Sequence, residues 1–414
     1  MLTLFALAAL AQSPAEEPAT DEVTASWQRE GFGWGALPAI NYNSDEGFGY
    51  GAVANLYRYD GSTAPYRYNL GMQFFMTTKG IHNHRVEIDA LNVGGLPLRL
   101  TGRVQLEVTR AGNFCGFGYD VSCDPAEAEA AADDAGLSGE AREDFVSRYY
   151  RVRYVRPYAF LNARYALSPK PHRIEVFGGW RGEWHQPGDF TTGEPYPGSK
   201  YEQAFPEGET GFYSLLEAGL MADNRDNEPA PTRGYWVEGS LRGATPYWGS
   251  AWTLFGFNTT LRGYVPLTKD NRLVGAARVV FDGFVGDAPT REWANPGGQR
   301  LYEAWGSLNA GRGIRARRYL GRVKTFAQPE LRWTFFSPRI GKVPLDFTVL
   351  AFTDIGFVAA EWSDFGQALG EPLIGTGGGL RIAVDDNFIV RLDVGLSAKE
   401  DWSPSIYIDL GNLF

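Results

Sequence analysis

The residues that could do chemistry are few, and their spacing does not favour it. Of the four histidines, His82 and His84 alternate on one strand-like stretch, while His172 and His185 stand far apart. With only two cysteines, Cys115 and Cys123, they do not compose the ligand set of a metal site. No GxSxG elbow occurs, and no histidine is spaced to suggest pairing with a nucleophilic serine. GTGGGLR, Gly375 to Arg381, is glycine-rich but opens no helix, so it does not read as a phosphate cradle. Glycines there mark bends or close packing more simply. Glu330, Asp346, Asp354 and Asp393 could be drafted as acid–base pairs, yet Arg332, Arg381 and Arg391 lie among them, as in an ordinary charged lining. The expectation is a protein that is not an enzyme and uses neither metal nor cofactor. An exported chain would favour a disulfide between Cys115 and Cys123, eight positions apart.

The elements that carry these residues are suggested first by composition. The chain has 414 residues, 14% of them aromatic, and 51 glycines. Its mean hydropathy is only -0.28. After the first eleven residues no apolar run approaches the roughly 20 residues of a spanning helix. A chain of this kind can cross a bilayer only as a closed barrel, since helices and barrels alone satisfy every backbone polar group in hydrocarbon. LTLFALAALAQ reads as a signal peptide over residues 1–11, with Ala9-Leu10-Ala11 before the cleavage point; no Lys or Arg precedes the apolar run, and a buried core helix is the other reading. Residues 12–31, with the polar PAEEPATDE stretch, are expected to be disordered and periplasmic. A net charge of -10 with no basic tract excludes a nucleic-acid partner.

Period-two alternation then runs along almost the whole chain. Tyr66, Tyr68, Leu70, Met72 and Phe74 oppose Arg67, Asn69, Gly71 and Gln73. Phe255, Phe257, Thr259, Leu261, Gly263 and Val265 oppose Asn258, Thr260, Arg262 and Tyr264. The polar face holds Arg, Asp, Asn, Gln, Thr and Gly, which suits a wet lumen, and the segments are long enough for tilted strands of about 9 to 11 residues. Sixteen such segments begin near residues 32, 46, 65, 81, 96, 149, 171, 212, 233, 253, 271, 324, 343, 374, 388 and 404. The expected fold is all-β: a 16-stranded antiparallel transmembrane β-barrel over residues 32–414, with long external loops. Short turns near Gly61, Gly94, Pro169, Asp270, Gly341 and Asp386 sort to the periplasm, and segments 111–148, 186–211, 286–323 and 358–373 sort outside. Asp124 to Asp144 carries an N-cap Asp, a Pro at the first helical position and an Ala/Glu-rich body, and predicts one or two helices in the third external loop. SIYIDLGNLF alternates Ile406, Ile408, Leu410 and Phe414 and resembles the terminal signal read by outer-membrane assembly machinery.

Four segments resemble the BamA/TamA surface-antigen superfamily, in its order along a sixteen-stranded barrel. They are NFCGFGYD at Asn113 to Asp120, the turn LMADNRDNEPAPTRGYW with Asp223, Arg225, Asp226 and Gly234, GRGIRARRYLGR with Arg312 and Gly313, and FTDIG with Asp354 and Gly356. The resemblance implies that the sixth external loop folds into the lumen and that its arginine meets the thirteenth strand there. Alternation in DFTVLAFTDIGF independently points Asp354 inward, where Arg312 can form a bidentate, charge-assisted pair, and Gly313 and Gly356 permit close backbone approach. Ile314 stands where the family has an aromatic, and Arg315, Arg317 and Arg318 lie beside Arg312, so the loop could also be merely cationic.

Family members that assemble or translocate proteins carry periplasmic POTRA domains before the barrel, and the 20 residues of 12–31 hold none. That expected absence weakens the transfer of the family's assembly activity; what the resemblance itself implies is an outer-membrane barrel that aids insertion or assembly of other proteins, with lipid and unfolded client barrels as partners. A gated pore lined by Arg67, Arg262, Arg332 and Arg391, and a structural surface antigen without transport, are the other readings.

Overall fold

A computed structural model describes residues 30–43, 47–63, 65–169, 171–188, 194–299, 305–340, 343–384 and 388–414. The expected signal peptide, nearly all of the 12–31 segment and the turns at Gly341 and Asp386 lie outside these residues. Sixteen long strands follow one another: β1 Glu30–Asn43, β2 Gly47–Asp60, β3 Tyr68–Thr77, β4 His82–Ala90, β5 Leu98–Asn113, β6 Arg151–Ala166, β7 Arg173–Pro187, β8 Gly211–Asp223, β9 Gly234–Ala244, β10 Leu254–Pro266, β11 Leu273–Gly286, β12 Val323–Phe336, β13 Val343–Ala359, β14 Leu373–Val384, β15 Phe388–Leu396 and β16 Ser405–Leu410. A two-residue strand, Arg339–Ile340, merely extends the turn between β12 and β13. Each long strand pairs antiparallel with the next, from β1–β2 to β15–β16, so the described strands form one meandering sheet.

Alternation does what a barrel wall requires. In β10, Leu254, Gly256, Asn258, Thr260, Arg262 and Tyr264 are buried, whereas Phe255, Leu261 and Val265 are 54%, 43% and 59% exposed on the outer face. Apolar side chains open to the outside and arginines hidden within invert a soluble sandwich and match a lipid-facing wall. The one departure near β3 is Tyr66, which precedes the strand and donates from its hydroxyl to the inward Asp89 at 2.8 Å.

The long connections gather at one end. In the third loop, Asp124 accepts from the Ala126 N–H at 2.9 Å and caps α1, Pro125–Asp134, with α2, Gly139–Arg148, following. The fourth loop contributes the short α3, Lys200–Ala204, and the sixth loop, between β11 and β12, carries α4, Thr290–Ala294.

The two ends of the sheet differ from its middle. β1 pairs with β2 over fourteen residues, but β16 pairs with β15 over only six, Val390↔Leu410 to Gly395↔Ser405. β1 and β16 lie side by side, yet no hydrogen-bonded ladder joins them among the described residues. The alternation expected through Phe414 stops early, which corrects the reading of the last strand. Gly411 takes a positive φ of 83° after β16 ends, and Leu413 and Phe414 turn away from the lipid to become buried. A barrel of this kind migrates faster on a gel before boiling than after; identical mobilities would contradict the fold.

Candidate functional site

The sixth external loop descends into the lumen, and Arg312 is its first anchor there. The Arg312 side chain is wholly buried. Its Nη2 lies 2.8 Å from Asp354 Oδ1, its Nε donates to Asp354 Oδ2 at 3.0 Å, and its backbone N–H donates to the same oxygen at 2.9 Å. The pair expected from the sequence is therefore present and bidentate. Two further carboxylates share the guanidinium: Nη1 lies 2.8 Å from Glu330 and 3.3 Å from Asp393. Phe352 closes the face, its ring centroid 3.5 Å from the guanidinium carbon. Alternation places Asp354 and Phe352 on β13, Glu330 on β12 and Asp393 on β15, all facing inward, so one loop residue ties three strands together.

Close approach depends on glycine. Gly313, at φ 95°, donates its N–H to the Tyr407 hydroxyl at 3.0 Å, and a Cβ there would sit 2.5 Å from the Leu396 nitrogen. A Cβ at Gly375 would fall 2.0 Å from the Arg312 carbonyl oxygen. The first glycine of the GTGGG run is thus the floor on which Arg312 rests, while Gly377 and Gly379 make room against the neighbouring wall strands. Gly356 is used differently: Trp305 packs over it, 2.4 Å from where a Cβ would lie.

Trp305 also answers the question raised by Ile314. Ile314 is buried in a cluster with Trp305, Val280, Ala310, Tyr319, Phe326, Val358 and Leu373, and Trp305 meets Phe326 at 5.3 Å between centroids. The aromatic beneath the loop tip comes from the loop's other limb. Arg315 and Arg318 do not enter this interior; both pair with Glu400, at 3.2 and 2.7 Å, and Arg317 faces Glu107 at 3.5 Å. Arg312 is distinct from its cationic neighbours.

A second anchor was not legible as a motif. Arg242 on β9 reaches Asp282 at 2.8 Å and Glu292 of α4 at 2.6 Å, while Arg181 reaches Glu292 at 3.1 Å. Beyond α4, three successive backbone N–H groups donate to wall carboxylates: Gly297 to Asp282 at 2.8 Å, Gly298 to Glu217 at 2.9 Å and Gln299 to Glu238 at 2.6 Å. Hydrogen bonds to charged acceptors inside a barrel are the strong kind. The sequence signal was only a run of inward carboxylates on β8, β9 and β11.

The NFCGFGYD segment covers the same loop from outside. Gly118 donates to the Leu320 carbonyl at 2.8 Å, Asn113 donates to the Ala316 carbonyl at 3.1 Å, and Phe117 packs against Trp293 at a tilt of 49° with ring centroids 4.5 Å apart. Cys115 and Cys123 are joined as a disulfide, with their Cα atoms 5.2 Å apart, and close a short loop that begins within this segment and ends just beyond it.

The remaining motif stands apart, in the turn between β8 and β9. Arg225 pairs with Asp223 through two hydrogen bonds of 2.9 and 2.8 Å, and a Cβ at Gly234, φ 101°, would lie 2.6 Å from the Asn224 carbonyl oxygen. Asp226 accepts from the N–H groups of Asn227, Thr232 and Arg233 at 2.9, 3.0 and 3.2 Å. Partial burial pushes its carboxyl up, but the Thr232 hydroxyl and these N–H groups outweigh it and hold the group below its ordinary value. The turn is a structural clasp and does not join the Arg312 site.

The Omp85 superfamily domain matches residues 61–407. Among solved structures, the chain is similar to BamA from Haemophilus ducreyi lacking POTRA domains 1-3, at 14% identity and TM-score 0.55, covering 92% of this chain and 70% of that one. It is similar to CdiB from Escherichia coli at 11% identity and TM-score 0.56, covering 91% of this chain and 62% of that one, less than two thirds of its length. No curated protein matches.

Two outcomes test the site. Arg312→Ala leaves the buried Asp354 without its cation, while Glu330 keeps Arg332 and Asp393 keeps Arg381, and should destabilise the barrel by about 3–5 kcal/mol, whereas Arg312→Lys, lacking the fork, should recover only part; denaturant unfolding in detergent measures both. Because the Asp226 carboxyl is depressed in the fold, its contribution is present above the ordinary Asp range and is lost as pH falls through the lowered value. Asp226→Ala should therefore lower the unfolding midpoint at neutral pH and remove that part of the acid sensitivity. The chain is an outer-membrane β-barrel that belongs to the Omp85 superfamily.

Proposed function

We propose that this barrel assists the insertion or assembly of outer-membrane proteins at the seam between β1 and β16, and that it does so without catalysis. The observation that carries the reading is the contrast between that seam and the lumen. The lumen is occupied by a loop held through Arg312, Arg242 and a row of backbone N–H groups, whereas β16 offers only a six-residue ladder on one side and none described on the other. Unpaired strand edges are templates for another strand, and in hydrocarbon their backbone groups are costly to leave unsatisfied. An incoming client strand would relieve that cost, so lipid and unfolded client barrels are the partners that suit this edge. The implied activity of the BamA/TamA resemblance points the same way.

A gated pore is the second reading, supported by the half-buried polar wall of β3 and β4, with Asn69, Gln73, Asn83, Arg85 and Glu87. It would require loop six to leave three carboxylates behind. A structural surface antigen requires neither seam nor pore to act.

Liposomes carrying the purified barrel should take up an unfolded client barrel several-fold faster than empty liposomes, and an engineered disulfide between β1 and β16 should abolish the gain. Equal rates with and without the barrel would remove the insertion reading. Stable conductance in planar bilayers that rises in Arg312→Ala would favour the pore instead.

A further inference from the structure

The four residues after β16 do not simply trail away. Gly411 turns the chain inward, its N–H donating to the Ile389 carbonyl at 2.8 Å, and the segment reaches strands that are not neighbours of β16 in the sheet. Leu413 and Phe414, each 3% exposed, pack with Tyr264 of β10 and Val274 and Ala276 of β11. These are inward residues near the short-turn end of the barrel. The Phe414 ring is met by two cations, Arg332 at 5.0 Å and Arg278 at 5.4 Å from its centroid, and by the Tyr264 ring at 6.3 Å. Arg332 also donates to the Phe414 main-chain oxygen at 3.5 Å, and Asn412 donates from its side-chain amide to the Pro229 carbonyl at 3.0 Å. Backbone, ring and flanking amide are thus all recognised. The buried Tyr264 hydroxyl has no partner among the described residues and is left over as a polar group at the same place.

We propose that the periplasmic mouth of the lumen is a peptide-binding site for a short extended segment with a Leu–aromatic pair, filled here in cis by Asn412–Phe414. An apolar floor takes the leucine, two guanidiniums lie within 5.4 Å of the aromatic ring centre, and Arg332 reaches the main-chain oxygen, a combination that favours a peptide over a simple hydrocarbon. Arg332 also lies 2.7 Å from Glu330, a ligand of Arg312, so the site adjoins the anchor of loop six. The proposal does not depend on the insertion reading.

The test uses the full-length chain in detergent with a fluorescein-labelled Gly-Asn-Leu-Phe peptide, read by polarisation. Leu413→Ala/Phe414→Ala should empty the site and bind the peptide, and adding Arg332→Gln should weaken that binding at least tenfold. The unaltered chain should bind at least tenfold more weakly than the double variant, because a tethered segment competes at an effective concentration of about millimolar. Phe414→Ala alone, checked by heat-dependent gel mobility, gives the same reading if the double variant does not fold. A folded variant that binds Gly-Asn-Leu-Phe no better than Gly-Asn-Ala-Ala, or no better than the unaltered chain does, overturns the proposal.

Discussion

A guanidinium buried inside a barrel must either be surrounded by acceptors or not be there at all, because an unpaired charge away from water costs several kcal/mol. Arg312 sits under that constraint, and much of the molecule is arranged around it. Asp354, Glu330 and Asp393 come from three different strands to meet it. The loop that bears it can approach those strands only because Gly313, Gly375 and Gly395 leave room for backbone against backbone. Remove the charge and the carboxylates repel; fill a glycine and the charge cannot arrive.

What surrounds the hub extends it outward. α4 and the glycines after it fix the upper limb of loop six to β8, β9 and β11, the disulfide-fastened third loop lies over its lower limb, and Glu400 of the eighth loop holds Arg315 and Arg318. The result is a wall braced from within. The bracing is least at the short β16, which has a six-residue ladder to β15 and none to β1 among the described residues.

Much of this was legible in the sequence, for a physical reason. Alternation in a two-sided wall has period two, and a single miscount would flip every later loop, so the sixteen strand starts fall within three residues of those observed, from 65 against Tyr68 to exact agreement at Phe388. Arg312 and Asp354 could be paired because both sit in short patterns. Glu330 and Asp393 were read as ordinary lining, since nothing local tells which inward carboxylate a distant loop will choose. Trp305 was missed as the substitute for an aromatic at position 314 because it reaches the cluster from nine residues upstream. Phe414 was read as the end of the alternating strand because alternation has no means of reporting that Gly411 ends it.

The claim that the fold turns on one loop cation shared among the strands is tested most directly by a double-mutant cycle between Arg312→Ala and Asp354→Ala, measured by reversible denaturant unfolding in lipid vesicles. A coupling of about 1.5 kcal/mol or more, with the double variant markedly less damaged than the sum of the singles, is what the geometry predicts. Additive losses, with coupling near zero, would mean that the two residues stabilise the barrel independently and would contradict the account.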